Sequence, residues 1–283
     1  MILSASRRTD IPAFYPDWLM ARLQAGTVSV RNPMNHGQVR QIPLSPESVD
    51  CIVFWTKDPA PLLSHLPELD AMGYRYYFQF TLTPYGPELE RYLREKAAIA
   101  ETFISLAKHV GKDRMIWRYD PIILNRDWDV PRHTEAFTSL CEKLHPHARS
   151  VTVSFVDQYP KLKTDLVREV TEAEMLELGG RLAETAKNYG LAVNACCEED
   201  LSSCGIGQAH CIDRTIVEEL CGHGVMTKPD RNQRHGCGCI QSVDIGAYNT
   251  CRHGCVYCYA NYSEASVERN VRRHDVDGMF LVE

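Results

Sequence analysis

Short, almost wholly apolar runs of strand length alternate with helical patterns along most of the chain. Ile2–Ala5, Cys51–Trp55, Arg75–Leu82, Arg114–Arg118, Ser150–Val156, Leu191–Ala195 and Ile240–Ile245 read as strands. Asp17–Gln24, Pro61–Met72, Pro87–Val110, Pro131–Leu144, Thr171–Tyr189 and Asp213–Leu220 read as helices between them. In Pro87–Val110 the residues Leu89, Leu93, Ala97, Ala100, Phe103, Ile104, Ala107 and Val110 keep a period near 3.6. Thr171 with Glu174 forms a capping box, and Pro131 suits a first helical turn. Thr27–Ile42 reads as a hairpin, with Asn32-Pro33 and His36-Gly37 as turn signals. Strands that are apolar on both faces are covered on both, which points to a parallel sheet wrapped by helices. The expected fold is therefore α/β. A TIM-like parallel β/α barrel, complete or partial, fits the count of about seven strands better than an open doubly wound sheet. No linker or repeat interrupts the 283 residues, so one domain is expected over 1–283.

Composition narrows the class. A hydrophobic content of 44% with 24% charged residues excludes a disordered chain. No apolar run reaches the length of a membrane-spanning helix, and Met1–Arg8 turns polar too early for a signal peptide. A cytoplasmic protein with no membrane partner is expected. The net charge of −6 gives the surface as a whole no attraction to nucleic acid. The outlier is cysteine. All twelve but Cys51 and Cys141 lie between Cys196 and Cys258, so 196–261 is a cysteine-rich region within the domain. In a reducing compartment such crowding points to metal or cluster binding rather than disulfides. Cys51 and Cys141, inside a strand and a helix, read as core.

Polar groups gather where the strands end. Ser6-Arg7-Arg8-Thr9-Asp10 follows the first strand, Trp55-Thr56-Lys57-Asp58 the second, and Gln79 and Thr81 close the third. Trp117-Arg118-Tyr119-Asp120-Pro121 ends the fourth, and Ser154 and Asp157 the fifth. Any one could be a helix cap or a solvated loop. Together they outline a polar pocket at the carboxyl ends of parallel strands, where active sites of α/β folds gather. Lys57, Gln79, Arg118 and Asp120 are candidates for holding substrate. No G-x-G-x-x-G follows the first strand, and no phosphate loop, G-x-S-x-G or H-E-x-x-H is present. His145 and His147 flank a proline and read as loop residues.

Cys251-Arg252-His253-Gly254-Cys255-Val256-Tyr257-Cys258 is C-x3-C-x2-C with an aromatic before the third cysteine. Three thiols so close converge only if the chain wraps around one site, and Gly254 permits the tight turn. Thiolates select zinc, Cu(I) or iron–sulfur clusters. The motif resembles that of the radical S-adenosylmethionine (SAM) enzymes, and Cys258-Tyr259-Ala260-Asn261 extends the likeness. The resemblance implies a 4Fe–4S cluster on Cys251, Cys255 and Cys258. SAM would be chelated at the open iron, with Tyr257 near its adenine, and cleaved reductively to a 5′-deoxyadenosyl radical. In ordinary members the motif follows the first barrel strand; here it lies near the end of the sequence. A circular permutation reconciles the two, with Ile240–Ile245 as barrel position one and Ile2–Ala5 as position two. The G-G-E motif that often holds the SAM amino group is absent. Under the permutation Ser4, Ser6, Arg7, Thr9 and Asp10 stand in its place as cofactor-binding candidates.

The chain as a whole is similar to one uncharacterised bacterial family. The likeness rests on Ser4–Pro12, Phe54–Lys57, Trp117–Ile122, Cys237–Cys239, Asp244–Gly246 and Cys251–Asn261. Among the other thiols, Cys197, Cys211, Cys237 and Cys239 are expected to form a second centre, iron–sulfur or zinc. Cys196 and Cys221 are equally readable as small buried hydrophobes. The leading expectation is an iron–sulfur enzyme that binds SAM and performs radical chemistry on a small or nucleotide-like substrate. It would need a reducing partner such as flavodoxin or ferredoxin. One alternative is a zinc-stabilised, non-enzymatic binding module. Another is a radical-type nucleic-acid modification or repair enzyme, since the motif is also similar to that of spore photoproduct lyase. Arg269–Arg273 is short, and the acidic net charge disfavours a nucleic-acid partner.

Overall fold

A computed structural model describes residues 1–157, 164–198, 201–230, 233 and 237–283. In chain order the elements are β1 (Ile2–Ala5), α1 (Ile11–Phe14), α2 (Pro16–Gln24), β2 (Thr27–Asn32), β3 (Asn35–Pro43), β4 (Cys51–Thr56), α3 (Leu66–Ala71), β5 (Tyr76–Thr81) and α4 (Lys96–Val110). They continue as β6 (Met115–Ile122), α5 (Val130–Leu144), β7 (Ser150–Phe155), α6 (Glu172–Asn188), β8 (Ala192–Ala195), β9 (Gly207–Gln208), α7 (Arg214–Cys221), β10 (Ser242–Asp244) and α8 (Glu264–Arg272). No helix among the described residues is long and apolar enough to cross a membrane.

Eight strands make one parallel sheet in the order β10-β1-β4-β5-β6-β7-β8-β9. Within this sheet each strand from β1 to β9 lies beside the one before it and the order never reverses, while β2 and β3 pair antiparallel as a separate hairpin. The last strand then returns to the first: Ile2 pairs with Ser242, Leu3 with Val243 and Ser4 with Asp244. Among the described residues no pairing joins β9 to β10. The cysteine-rich region supplies β9, α7 and β10 and so shares the sheet.

Side chains alternate across a strand, and the two faces carry different chemistry. On one face Leu3, Ala5, Ile52, Phe54, Tyr76, Phe78, Phe80, Met115, Trp117 and Tyr119 pack in the main core, together with Phe103 of α4, Phe137 of α5 and Leu178 and Leu182 of α6. Phe54 stacks on Phe78, and Trp117 on Phe137. On the other face the amino-terminal half of the sheet is apolar. There Ile2, Cys51, Val53, Tyr77 and Ile116 meet Ile212 and the α7 residues Ile216, Val217 and Cys221. Further along the same face come Ser4, Gln79, Arg118, Thr152 and Ser154, all buried and polar. This parity explains why the strands read as continuous apolar runs that end in hydrogen-bonding groups. Cys51 and Cys141 are fully buried core residues, as expected.

The structure moves several expected boundaries. The helix expected over Pro87–Val110 starts only at Lys96. The backbone before it pairs with the cysteine loop instead: Tyr92 N donates to His253 O, Val256 N to Leu89 O, and Glu90 bridges Cys255. Tertiary pairing overrides helical spacing there. Pro61–Met72 begins as a 3-10 helix over Ala60–His65, because Pro67 removes a donor from any continuous helix. In the hairpin, Asn32 Oδ1 accepts from Met34 N and makes the turn, so His36-Gly37 lies inside β3. The two-residue β9 is too short, and α8 too poor in apolar residues, to stand out in the sequence.

His133 ties α5 to the sheet. Tyr119 Oη lies 2.8 Å from its Nδ1, and Nε2 lies 3.0 Å from Ile123 O. The carbonyl requires an Nε2 donor, so Nδ1 accepts from the Tyr119 hydroxyl and the ring is neutral. Burial lowers its pKa to about 4. An unfolded histidine titrates near 6.5, so the folded state binds this proton later than the unfolded one. Stability from this residue is therefore complete above about 6.5 and is lost as pH falls through about 4, by about 3 kcal/mol in all. Urea unfolding at pH 7, 5.5 and 4.5 should show this loss in the wild type and a much flatter profile in His133→Gln. Equal slopes in the two proteins would contradict it.

Candidate functional site

The site begins where β10 meets β1. The Asp244 carboxylate accepts from Ser4 Oγ (2.9 Å), Ser6 Oγ (2.7 Å), Arg7 N (2.8 Å) and Gly246 N (3.0 Å). A side chain at position 246 would collide with Ser6, whose Oγ would lie 2.0 Å from its Cβ. Glycine is what lets the two segments touch. Asp10 makes the next link. Its Oδ1 caps α1 through Ala13 N, while its Oδ2 lies 2.7 Å from both Lys57 N and His253 Nε2. Tyr15 Oη donates to Thr250 O and Tyr259 Oη to Arg7 O. The cysteine loop is thus held against the segment that follows β1. Gly254, at φ +66°, turns where a Cβ would strike the Tyr92 ring.

A cavity of about 600 Å³ opens at the carboxyl ends of the strands. Ser6, Arg7, Thr9, Asp10, Lys57, Arg118, Asp120, Tyr257 and the thiols Cys251, Cys255 and Cys258 all line it. The same three cysteines also line a separate cavity of about 550 Å³ on the outer side of the loop, beside α8. Two expected contact residues lie behind the wall. Ser4 is fully buried against Asp244. Gln79 accepts from Arg118 Nη1 (3.1 Å) and donates to Cys211 O (2.8 Å). Both position other groups and do not themselves face the cavity. Arg118 also donates to Asp120 through Nε and Nη2. The guanidiniums of Arg7 and Arg118 both lie over the Trp55 ring, at 5.1 and 5.3 Å. Three donors on this wall, Arg7 Nη2, Thr9 Oγ1 and Trp55 Nε1, are buried with no hydrogen-bond partner among the described residues. Buried donors left so are costly unless a ligand supplies acceptors.

Glu90 is the residue that sequence reasoning missed. Placed inside an expected helix, it gave no signal. Its buried carboxylate accepts from Lys57 Nζ (2.7 Å), Thr83 Oγ1 (2.9 Å), Lys96 Nζ and Tyr257 Oη. It therefore locks Tyr257 of the cysteine loop and carries Lys57, whose ammonium lies 5.6 Å from the Tyr257 ring centre. Burial would raise the Glu90 carboxyl, but the two lysines outweigh it and hold it down to about 2.

Burial pushes the Cys251 thiol well above its ordinary range, and Cys258 and Asp10 push it further. Cys255 rises to about 12 by burial, partly relieved by Lys57. Ionised together, these thiols repel one another, so a cationic centre is what would stabilise them as ligands. No three His, Cys, Asp or Glu side chains among the described residues are grouped as ligands of a single ion. A cubane cluster asks for something else, one thiolate on each of several irons. The soft donor set and the partnerless donors across the cavity fit a thiolate-held cluster with a polar, acceptor-rich ligand beside it.

The second set of thiols lines the same cavity: Cys197, Cys211, Cys237 and Cys239, together with Cys196. Cys196 is more than the small hydrophobe it was read as, because its Sγ lies 3.0 Å from that of Cys211. Cys211 is held well below the ordinary thiol range by hydrogen bonds from Cys196 and Cys239 and by Arg118. Cys221 stays apart and donates to Asp50 O.

Removing the Glu90 charge leaves two buried ammoniums without their carboxylate. Glu90→Gln should cost about 3–5 kcal/mol at pH 7 by urea unfolding. The folded pKa of about 2 lies below the ordinary 4.5, so this stability is present above 4.5 and is lost as pH falls through 2. The gap between the proteins should narrow over that window. A loss under about 1 kcal/mol, typical of an exposed pair, would contradict the buried hub.

Residues 2–260 match the family model described as Domain of unknown function (DUF1848). No curated protein matches the chain. The match runs through both ends of the sheet and the cysteine loop, and the chain belongs to the DUF1848 family.

Proposed function

We propose that the chain is an iron–sulfur enzyme that binds SAM at a 4Fe–4S cluster on Cys251, Cys255 and Cys258 and performs radical chemistry on a small substrate. One observation carries the reading. His253 of the cysteine loop and Asp10 after β1 are 243 residues apart in sequence, yet they are hydrogen-bonded on the wall of one polar cavity. A zinc-stapled module accounts for the thiols but leaves Arg7, Thr9, Trp55, Lys57 and Arg118 around that cavity without a purpose. The one-way strand order, with β10 returning to β1, supports a circularly permuted partial barrel with β10 as its first strand and β1 as its second.

In this reading the bound cluster supplies the electron that cleaves SAM, and the protein supplies position and shielding. Arg7 Nη2, Thr9 Oγ1 and Trp55 Nε1 donate to ligand oxygens. Tyr257, fixed by Glu90, would stand beside the adenine. Lys57 and Arg118, each already neutralised by a carboxylate, stay in place and orient the substrate without a large field of their own. The cysteine loop also faces the outer cavity, which gives a reducing partner such as flavodoxin or ferredoxin a separate approach.

Protein reconstituted anaerobically with iron and sulfide, then given dithionite and SAM, should release 5′-deoxyadenosine, and Cys255→Ala should release none. A reconstituted cluster that yields no SAM cleavage product, or protein that takes up only zinc, would overturn the reading.

A further inference from the structure

Beside the cysteine loop, four more thiols, Cys196, Cys211, Cys237 and Cys239, form a second group assembled from three distant parts of the chain. Cys196 follows β8, Cys211 precedes α7, and Cys237 and Cys239 precede β10. The Cys196 and Cys211 sulfurs are 3.0 Å apart. Cys239 shares side-chain hydrogen bonds with Cys211 and with Cys237, and its sulfur also accepts from Ile212 N at 3.3 Å. Arg118 Nη1 donates to the Cys211 sulfur at 3.0 Å. All four line the cavity described above.

Inert thiols do not look like this. Cys51 and Cys141 are each embedded in the apolar core, where a small hydrophobe serves equally well. Thiols are weak donors and weak acceptors, so a run of four in contact gains little from its own hydrogen bonds. A disulfide would use two of them and leave two. Soft-metal chemistry uses all four. A zinc ion needs its four sulfurs about 2.3 Å from a single point in a tetrahedron. These sulfurs touch pairwise, Cys196 with Cys211, Cys211 with Cys239 and Cys239 with Cys237, and no single-ion group of three forms among the described residues. A cluster distributes its thiolates over separate irons and uses all four thiols, and binding one would part the touching Cys196 and Cys211 sulfurs.

We propose that Cys196, Cys211, Cys237 and Cys239 hold a second 4Fe–4S cluster that opens onto the same cavity as the cysteine loop, with Arg118 hydrogen-bonded to the Cys211 sulfur. Cys196, which lies against Cys211, takes the place expected for Cys197. The inference rests on these thiols and stands independently of SAM cleavage. Its place on the cavity wall brings the second cluster into contact with the substrate space, beyond the role of a staple.

The test counts metal in the full-length protein after anaerobic reconstitution with iron and sulfide. The wild type should hold about eight irons per chain, Cys251→Ala/Cys255→Ala/Cys258→Ala about four, and Cys211→Ser/Cys239→Ser about four. Circular dichroism checks that each variant folds. If the serine variant does not fold, the alanine variant decides alone: about four irons retained supports the second cluster, and none retained overturns it. A serine variant that keeps the full wild-type iron, or stoichiometric zinc in the alanine variant, also overturns it. If the alanine variant keeps all its iron while the serine variant loses it all, this inference stands and the cluster on Cys251, Cys255 and Cys258 falls.

Discussion

The pairing of the last strand with the first is the constraint on which the rest depends, and the Asp244 carboxylate makes it specific. Three backbone pairs would align β10 with β1, but they would say nothing about how either strand ends. Asp244 decides that by collecting two hydroxyls and two backbone amides from both segments. The turn after β1 is thereby drawn toward β10, and the cysteine loop that follows β10 arrives beside Asp10. Without this junction the thiols and the polar strand ends would belong to different parts of the molecule.

Buried charge then makes the cavity rigid. Several ionic groups on the wall or just behind it are matched: Glu90 with Lys57 and Lys96, Arg118 with Asp120, Asp10 with His253 and the Lys57 amide. Every one of these links joins different segments or fixes a side chain over the cavity. Such pairs add little net stability compared with an apolar core, yet breaking one leaves an uncompensated charge. They act as registration devices that hold the first contact groups by a second ring of partners. The groups left without partners, on Arg7, Thr9 and Trp55, all face the same space. In the proposed reading these three donors are the ones offered to a ligand.

Much of this was legible in the residues. Two-residue alternation and apolar runs reveal the strands because burial on both faces is a local requirement of a parallel sheet. The C-x3-C-x2-C spacing reveals the loop because three thiols and Gly254 fall within eight residues. What stayed hidden depends on contacts made across the fold. Glu90 sits on a stretch whose Leu89 and Leu93 mimic a helix, and only its pairing with Cys255 and Val256 pulls it straight. Gln79 and Ser4 sit at strand positions that look like cavity contacts, but the register with Arg118 and Asp244 places them one layer back. The contact of Cys196 with Cys211 comes from the path of the chain after β8, where Cys197 has φ 55°, and no spacing rule encodes it.

The central claim is that SAM is chelated at the cluster on the cysteine loop, inside the cavity bounded by Arg7 and Thr9. Electron paramagnetic resonance of the dithionite-reduced, reconstituted protein tests it most directly. Adding SAM should shift the g-values of one cluster signal, the shift should vanish in Cys251→Ala/Cys255→Ala/Cys258→Ala, and Thr9→Val should weaken the SAM concentration dependence by about tenfold, as expected for one lost hydrogen bond. A cluster signal that SAM leaves unchanged in the wild type would contradict the account.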